Sequence, residues 1–354
     1  MPPTENSPVD QRQKAEKLFI LDCLRNFVQS EDSTSGLPLN LDWDYILAVA
    51  ETHRLLPFLT CHLMKTKLFE RLSDNLRKRM SSHLARAGWE NVVKKMEFEG
   101  IACSFEEARI PLIPLKGIAL SHSIYKKYPY RLMGDLDILI EEKNIGRARN
   151  LLQEKGFQLK EGEYRWQVKY YDKALGRTTF EKNDQVIDLQ WKPRFLLDGK
   201  WVEWPAGEAW RRAKPFPSLG KNVLFLSEVD MAQHLLFQIM GDLGLSNLFL
   251  IQLLDLSLVI KKYDLSKNRL LAFHEVEGNP LLKTKFQTVL EAVDEIFFAK
   301  ARGQAFSPQT CEILECIFQG PPAIPKVFAA RLFLKTFSSP FEKIVFLLGY
   351  LFPS

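Results

Sequence analysis

The feature that most constrains this chain is the segment GDLDILI at residues 134–140. Successive side chains of a strand point to opposite faces, so Asp135 and Asp137 would project together while Leu136 points to the other face. Two carboxylates held side by side repel each other unless a cation lies between them. Mg²⁺ commonly takes such carboxylate ligands and completes its shell with water and phosphate oxygens. The segment therefore predicts a phosphoryl-transfer site, with a solvated strand end rich in Asp as the alternative.

The residues before this strand add a second part to the pattern. A short apolar run ends in Lys116 and Gly117, and a helix is predicted over residues 118–125. A basic and aromatic connector that ends at Arg131 then leads to the two aspartates. A strand, a glycine turn, a helix and an Asp-x-Asp strand in this order resemble the core of the polymerase-β-like nucleotidyltransferases.

More narrowly, the order LKG…Y…R…GDLDILI resembles a poorly characterised bacterial nucleotidyltransferase family. The residues that carry this resemblance are Leu115, Lys116, Gly117, Tyr125, Arg131, Asp135 and Asp137. The likeness is specific over residues 111–140 and looser elsewhere. It implies an α+β fold in which a small mixed sheet is flanked by N- and C-terminal helical regions. The predicted division is a helical region at 1–108, a nucleotidyltransferase core at 109–200 and a second helical region at 201–354.

A third carboxylate is predicted on a later strand. Asp188 lies among apolar neighbours in a strand predicted over residues 186–191. The resemblance implies that Asp135, Asp137 and Asp188 are the catalytic metal ligands, two bridging the metals and the third helping to activate the attacking hydroxyl. The alternative is that Asp188 merely begins an exposed face. Relatives are implied to carry His two residues later, where this chain has Gln190, so weaker activity or a different acceptor is expected.

Three residues are predicted to bind the nucleotide. Lys116 would bind the β- or γ-phosphate as a point charge, and Gly117 would leave room for a close backbone approach. Arg131 would clamp a phosphate or the acceptor, with a solvated loop arginine as the alternative.

Hydrophobic periodicity predicts the remaining elements. In the N-terminal region helices are predicted over residues 14–29, 42–54, 56–65 and 68–105, the last broken near Gly88, with residues 1–13 disordered. In the core a helix over 141–155 ends at Gly156, and strands follow over 157–160, 166–171 and 178–182, then a turn at 183–184. After a Pro-rich connector at 201–217, helices are predicted over 230–240, 248–262, 280–300, 311–318 and 325–337, with a break at 241–244.

Composition bears on the partners, the compartment and the membrane association that we expect of this chain. The net charge of +5 is spread along the chain, so a nucleic-acid partner is permitted but not indicated. The five cysteines form no CxxC pair, which predicts reduced, mostly buried thiols in a cytoplasmic protein. No run of eighteen apolar residues is present, so no membrane span is expected.

These observations predict an enzyme that uses Mg²⁺ or Mn²⁺ to move an NMP group from an NTP such as ATP to an acceptor hydroxyl or phosphate, releasing pyrophosphate. The acceptor stays open among sugar phosphates, peptides, proteins, RNA and antibiotics. One alternative is a nucleotide-binding or scaffold protein that keeps the fold without turnover, which Gln190 supports. Another is a helical interaction protein that binds no metal.

Overall fold

A computed structural model describes residues 8–30, 41–125, 130–160, 175–197, 200–245, 247–272, 279–299 and 305–319, with backbone alone at 8–13, 200, 244 and 319. Helices and a small mixed sheet make up this part of the chain, which confirms the α+β class. Residues 126–129 of the predicted connector, the predicted strand at 166–171 and the predicted helix at 325–337 lie outside the described residues.

The N-terminal region is helical. Its helices are α1 (Pro8–Gln29), α2 (Trp43–Thr52), α3 (Leu56–Lys65) and α4 (Asp74–Glu107). Helices α2 and α4 each follow a residue whose side chain caps the helix. Asp42 accepts a hydrogen bond from the backbone N–H of Tyr45, and Ser73 accepts one from the backbone N–H of Leu76.

Two predictions for this region were wrong. Helix α1 begins at Pro8, within residues predicted to be disordered, and proline is tolerated in a first helical turn. Helix α4 runs unbroken through Gly88, where an added Cβ would meet no neighbouring atom within 4 Å. A single glycine costs a helix only about 1 kcal/mol relative to alanine, which the other positions of α4 offset.

The central sheet has five strands in the order β1-β2-β5-β4-β3. They are β1 (Ile113–Pro114), β2 (Leu136–Leu139), β3 (Gln158–Leu159), β4 (Arg177–Lys182) and β5 (Gln185–Gln190). Strands β2 and β5 are parallel and the other pairs are antiparallel. The parallel register sets Asp137 directly beside Asp188.

Short helices and turns connect these strands. Helix α5 (Lys116–Leu120) continues into a π-helical turn at Ser121–Tyr125, and α6 (Ile145–Glu154) ends just before Gly156. Gly156 has a φ of +84°, the left-handed conformation that suits glycine after a helix. The predicted turn at 183–184 is also confirmed, with Asn183 at a φ of +51°.

Residues 201–217, predicted to be a Pro-rich connector, contain strands and a helix. They are β7 (Lys200–Glu203), α7 (Ala206–Arg212) and β8 (Lys214–Pro215). Strand β7 pairs with β6 (Arg194–Leu197), and β8 pairs with β9 (Leu224–Phe225). Backbone pairing with strands outside the connector stabilises these short elements, which local composition did not reveal. The predicted boundary between the core and the second helical region, at position 200, falls inside the β6–β7 hairpin. The three-part division of the chain stays a prediction.

The later helices follow the predicted pattern with one error. They are α8 (Glu228–Gly244), α9 (Leu250–Tyr263), α10 (Lys267–Leu271), α11 (Pro280–Val293) and α12 (Pro308–Gln319). The predicted break at 241–244 was wrong, because α8 continues through Gly241. A Cβ at Gly241 would lie 3.4 Å from the Phe195 side chain, so glycine there allows α8 to pack closely on β6.

The core forms two apolar clusters. One joins residues of the N- and C-terminal helices with sheet residues such as Ile113 and Leu139. The other lies between α4, α6 and the sheet and includes Phe105, Leu152 and Phe180. The sheet therefore has apolar contacts with helices from both ends of the chain.

The cysteines are less buried than predicted. All five are free, but only Cys23 is buried, while Cys61 and Cys316 are half-buried and Cys103 and Cys311 are exposed. The exposed pair lies on helical surfaces that face solvent. None of the helices in the described ranges combines the length and the apolar character needed to cross a membrane.

Candidate active site

The predicted aspartates lie near the start of β2 and on the adjacent strand β5. Asp137 and Asp188 are only 2% and 6% exposed and lie side by side in the parallel β2–β5 pair. Asp135 is half-buried just before β2, and it lines the same cavity as Asp137. Asp135 and Asp137 thus project to one side, as the strand periodicity predicts. Burial of Asp188 rules out the alternative that it begins an exposed face.

A lysine and a glutamine hold two of these carboxylates. The Lys116 Nζ donates to Oδ1 of Asp137 at 2.9 Å. The Gln190 side-chain amide donates to Oδ1 of Asp137 at 2.8 Å and to Oδ2 of Asp188 at 3.2 Å. The ammonium group of Lys116 therefore neutralises part of the negative charge that these carboxylates bring together.

Strand β4 supplies further partners of Asp188. The Thr179 hydroxyl donates to Oδ1 of Asp188 at 3.0 Å, and Nη1 of Arg177 lies 3.5 Å from Oδ2. Thr179 is the antiparallel partner of Asp188 in the sheet register, so the sheet itself fixes this contact. Side chains of β4 and of its own strand β5 therefore orient Asp188.

The site carries an excess of negative charge in a poorly solvated position. Burial, opposed by the charge of Lys116 and reinforced by the charges of Asp135 and Asp188, raises the pKa of Asp137 to about 7. Burial lowers the pKa of Lys116, but the charges of Asp137 and Asp135 outweigh burial and raise that pKa overall. Both shifts follow from crowding several carboxylates around one ammonium group.

The residues present fit a hard divalent cation by their donor type. Carboxylate oxygens suit Mg²⁺ and Mn²⁺, and Asp135 accepts no side-chain hydrogen bond from the described residues. Within those same ranges no group of three or more His, Cys, Asp or Glu side chains is already arranged to hold a metal ion. Asp137 and Asp188 are instead held by Lys116 and Gln190. The donor set fits the ion, but its three carboxylates are not assembled around one point.

The Lys116–Gly117 turn has an unusual backbone conformation. Lys116, and not Gly117, has a positive φ, of 46°, in a region that non-glycine residues rarely adopt. A Cβ at Gly117 would lie 3.2 Å from Nη1 of Arg131. The Arg131 guanidinium therefore lies beside Gly117, and the predicted close approach of a ligand to Gly117 stays a prediction.

Arg131 is not a solvated loop arginine. Its Nε and Nη2 donate to Asp255 of α9 at 2.9 and 2.7 Å, and the Tyr125 hydroxyl donates to the same carboxylate at 2.8 Å. The Asn91 amide donates to the carbonyl of Arg131 at 2.8 Å and accepts the N–H of Met133 at 2.9 Å. These bonds fix the backbone that leads into the aspartate strand. Arg131 also lines the cavity that contains Asp135 and Asp137. Its predicted role in binding a phosphate or the acceptor stays a prediction.

A cavity of about 210 Å³ opens beside the aspartates, and we call it the aspartate cavity. Its lining comes from the α2–α3 corner, the start of α5, the loop before β2, and helices α8 and α9. The lining includes Arg54, Lys116, Gly117, Arg131, Gly134, Asp135, Asp137, Asp242, Phe249 and Gln252. Asp188 is outside this lining, on the next strand.

The far wall of the aspartate cavity is polar and aromatic. Burial raises the pKa of Asp242, which accepts a hydrogen bond from Nε2 of Gln252 at 2.6 Å. Phe249 lies between α8 and α9 with the Arg54 guanidinium 5.4 Å from its ring centre. No local sequence pattern indicated this wall, because its residues reach the aspartates only through the packing of helices that are distant along the chain.

Comparisons with known proteins identify the family. Residues 40–275 match the family described as "Uncharacterised nucleotidyltransferase", and this range contains every predicted site residue. No curated protein matches the chain.

Two solved structures show a weak likeness to this chain. A solution structure of the antibiotic-resistance factor ANT(2'')-Ia is 12% identical, covers 58% of this chain and 97% of its own, and has a TM-score of 0.37. A crystal structure of ANT(2'')-Ia in complex with adenylyl-2''-tobramycin is 14% identical, covers 55% and 98%, and has a TM-score of 0.36. Likeness this low carries no argument about substrate or mechanism. The family match spans more than half of the chain, and the protein therefore belongs to the uncharacterised nucleotidyltransferase family.

Proposed function

We propose that this protein transfers an NMP group from an NTP, with ATP as the first candidate, to an acceptor hydroxyl or phosphate and releases pyrophosphate. The observation that carries the proposal is the pairing of Asp137 with Asp188 on adjacent parallel strands, with Asp135 on the same side as Asp137. Family membership supports nucleotidyl transfer as the reaction class. A cavity beside the carboxylates supplies room for a substrate.

Asp135, Asp137 and Asp188 would hold the divalent cation, Mg²⁺ or Mn²⁺. When bound, the ion would neutralise phosphate charge and make an acceptor hydroxyl easier to deprotonate. Lys116 lines the aspartate cavity and contacts Asp137, so its ammonium can neutralise either that carboxylate or a phosphate that enters. Gln190 keeps Asp137 and Asp188 at a fixed separation by donating to both.

The acceptor would enter from the side of α8 and α9. Asp242 and Gln252 offer hydrogen-bonding groups there, and Phe249 offers an aromatic face. Free thiols in all five cysteines agree with a cytoplasmic location, where NTP and Mg²⁺ are available.

One observation favours a second function, a nucleotide-binding protein without turnover. The Gln190 amide lies at the position where the resemblance implies histidine, and it bridges Asp137 and Asp188. A neutral amide cannot exchange a proton at neutral pH as an imidazole can. If that histidine takes part in proton transfer in relatives, this chain would bind the nucleotide without transferring its NMP group.

A labelling experiment separates the two functions. The purified protein is incubated with each α-³²P-labelled NTP, Mg²⁺ and a cell extract, and labelled products and pyrophosphate are measured. We expect label transfer by the wild type and by Asp184→Asn, whose aspartate lies exposed in the β4–β5 turn, but none by Asp135→Asn. NTP binding without label transfer by the wild type would favour the protein without turnover.

A further inference from the structure

Three cationic side chains line the aspartate cavity: Arg54, Lys116 and Arg131. Two of them already have carboxylate partners inside the protein. Lys116 contacts Asp137 at 2.9 Å, and Arg131 contacts Asp255 at 2.7 Å. These two cations are mostly occupied in balancing buried negative charge.

Arg54 differs from the other two cations. It is exposed, and among the described residues no carboxylate lies at ion-pair distance from its guanidinium. The residue occupies the corner between α2 and α3 with a φ of +58°, so the two helices fix the direction of its backbone. Its charge is therefore available to a ligand.

Two contacts hold the Arg54 guanidinium against the cavity. It lies 5.4 Å from the centre of the Phe249 ring, a distance at which a cation is attracted to the aromatic face. On the other side it approaches Gly134 so closely that a Cβ there would lie 2.7 Å from Nη1. Gly134 is the residue before Asp135, so the guanidinium lies next to the predicted metal ligands. Among the described residues no hydrogen bond takes up the N–H donors of this guanidinium, so they are available to a ligand.

We infer that Arg54 binds the triphosphate of the NTP in the aspartate cavity. The planar guanidinium presents paired donors that match two phosphate oxygens, which an ammonium group cannot do. A triphosphate entering beside Asp135 and Asp137 meets repulsion from both carboxylates, and of the three cations that line the cavity Arg54 is the one with no carboxylate partner among the described residues. This inference rests on the proposed function and names the residue that receives the substrate's terminal phosphates.

Titration calorimetry with inorganic triphosphate, without metal and then with Mg²⁺, tests the inference apart from any chemistry. We expect Arg54→Gln to bind inorganic triphosphate about tenfold or more weakly than the wild type, because it loses a charge-assisted bidentate contact. Arg54→Lys should fall between the two, since it keeps the charge and loses the fork. Arg211→Gln is the matched control, because Arg211 is exposed, pairs with Glu208 and lies outside the cavity lining; its affinity should equal that of the wild type.

The alternative is that the contact of Arg54 with Phe249 only stabilises the packing of the N-terminal helices. In that case Arg54→Gln would melt at a lower temperature and bind inorganic triphosphate as tightly as the wild type, which would overturn the inference. If Arg54→Gln and Arg54→Lys bind inorganic triphosphate with equal affinity and both bind it more weakly than the wild type, the inference is supported, because both variants lack the paired donors of arginine. Failure of the proposed function has a different signature: triphosphate binding would depend on Arg54, but no NMP group would be transferred from NTP to any acceptor.

Discussion

Replacing Arg131 by methionine removes one partner of a deeply buried ion pair. The side chains of Arg131 and Asp255 are 10% and 1% exposed, and they are joined by paired hydrogen bonds. Removing one partner of such a pair typically costs about 3–5 kcal/mol, because the other charge stays buried without compensation. The Tyr125 hydroxyl still donates to Asp255 in this variant, so we expect the lower end, about 3 kcal/mol.

A double variant isolates the cause. Replacing a whole buried pair by apolar residues of similar size is often neutral, so Arg131→Met with Asp255→Leu should be more stable than Arg131→Met alone. The double variant still leaves Tyr125 without its acceptor, which costs about 1 kcal/mol.

The assay is urea unfolding at pH 7, followed by tryptophan fluorescence, with free energies taken at constant denaturant slope. Lys267→Met is the control, because Lys267 and Asp294 form an ion pair with side chains 45% and 55% exposed. Its loss should change the free energy of unfolding by less than about 1 kcal/mol. A cost of Arg131→Met no larger than that of this control, or a double variant as unstable as the single one, would refute the stabilising role of the Arg131–Asp255 pair.

Three further predictions concern neighbouring features. Gly134→Ala should change the free energy of unfolding by less than about 0.5 kcal/mol, since the new methyl group meets the movable end of Arg54, yet it should weaken binding of inorganic triphosphate; calorimetry that shows unchanged affinity argues against the Arg54 contact. Thr179→Val removes the hydroxyl that donates to Asp188 at 3.0 Å and should cost about 1–3 kcal/mol in urea unfolding, whereas an unchanged midpoint would mean that Asp188 does not need this donor. Burial lowers the pKa of His53 to about 4, below its usual 6.5, so the unfolded state binds the proton more readily between these values. The stability that neutral His53 contributes should therefore be fully present above pH 6.5 and lost as the pH falls toward 4, by up to about 3 kcal/mol. His53→Phe should flatten this part of the pH profile, and parallel profiles for the two proteins would contradict the assignment.

Local patterns were sufficient for the elements that place the aspartates. Strand alternation predicted that Asp135 and Asp137 face one side, and the apolar surroundings of Asp188 predicted its strand. The predicted helix at 56–65 matches α3 at both ends. These features depend on residues a few positions apart, which a sequence displays directly.

Contacts between distant residues explain most of what the sequence did not show. Arg131 is 124 positions from Asp255, and nothing near either residue indicates the other. Arg54 looked like the end of a helix, and only the packing of α9 brings Phe249 beneath it. Gly241 looked like a helix break, but close packing against β6 offsets the low helical propensity of glycine.

The side-chain environment of the aspartates was also beyond local patterns. Lys116 was predicted to contact phosphate, and the structure pairs it with Asp137. Gln190 was interpreted as a departure from relatives, and it proves to be the residue that bridges Asp137 and Asp188. The register of β2 and β5 brings Gln190 to Asp137, and the packing of the start of α5 against β2 brings Lys116 there; both are properties of the assembled fold.

The central claim is that the aspartates at β2 and β5 bind nucleotide through a divalent cation. Its most direct test is titration calorimetry of a non-hydrolysable NTP analogue, with Mg²⁺ and with EDTA, for the wild type, Asp135→Asn and the exposed-turn control Asp184→Asn. We expect Mg²⁺ to strengthen analogue binding by the wild type and by Asp184→Asn, and Asp135→Asn to lose this gain. Equal affinity of the wild type with Mg²⁺ and with EDTA would contradict this claim.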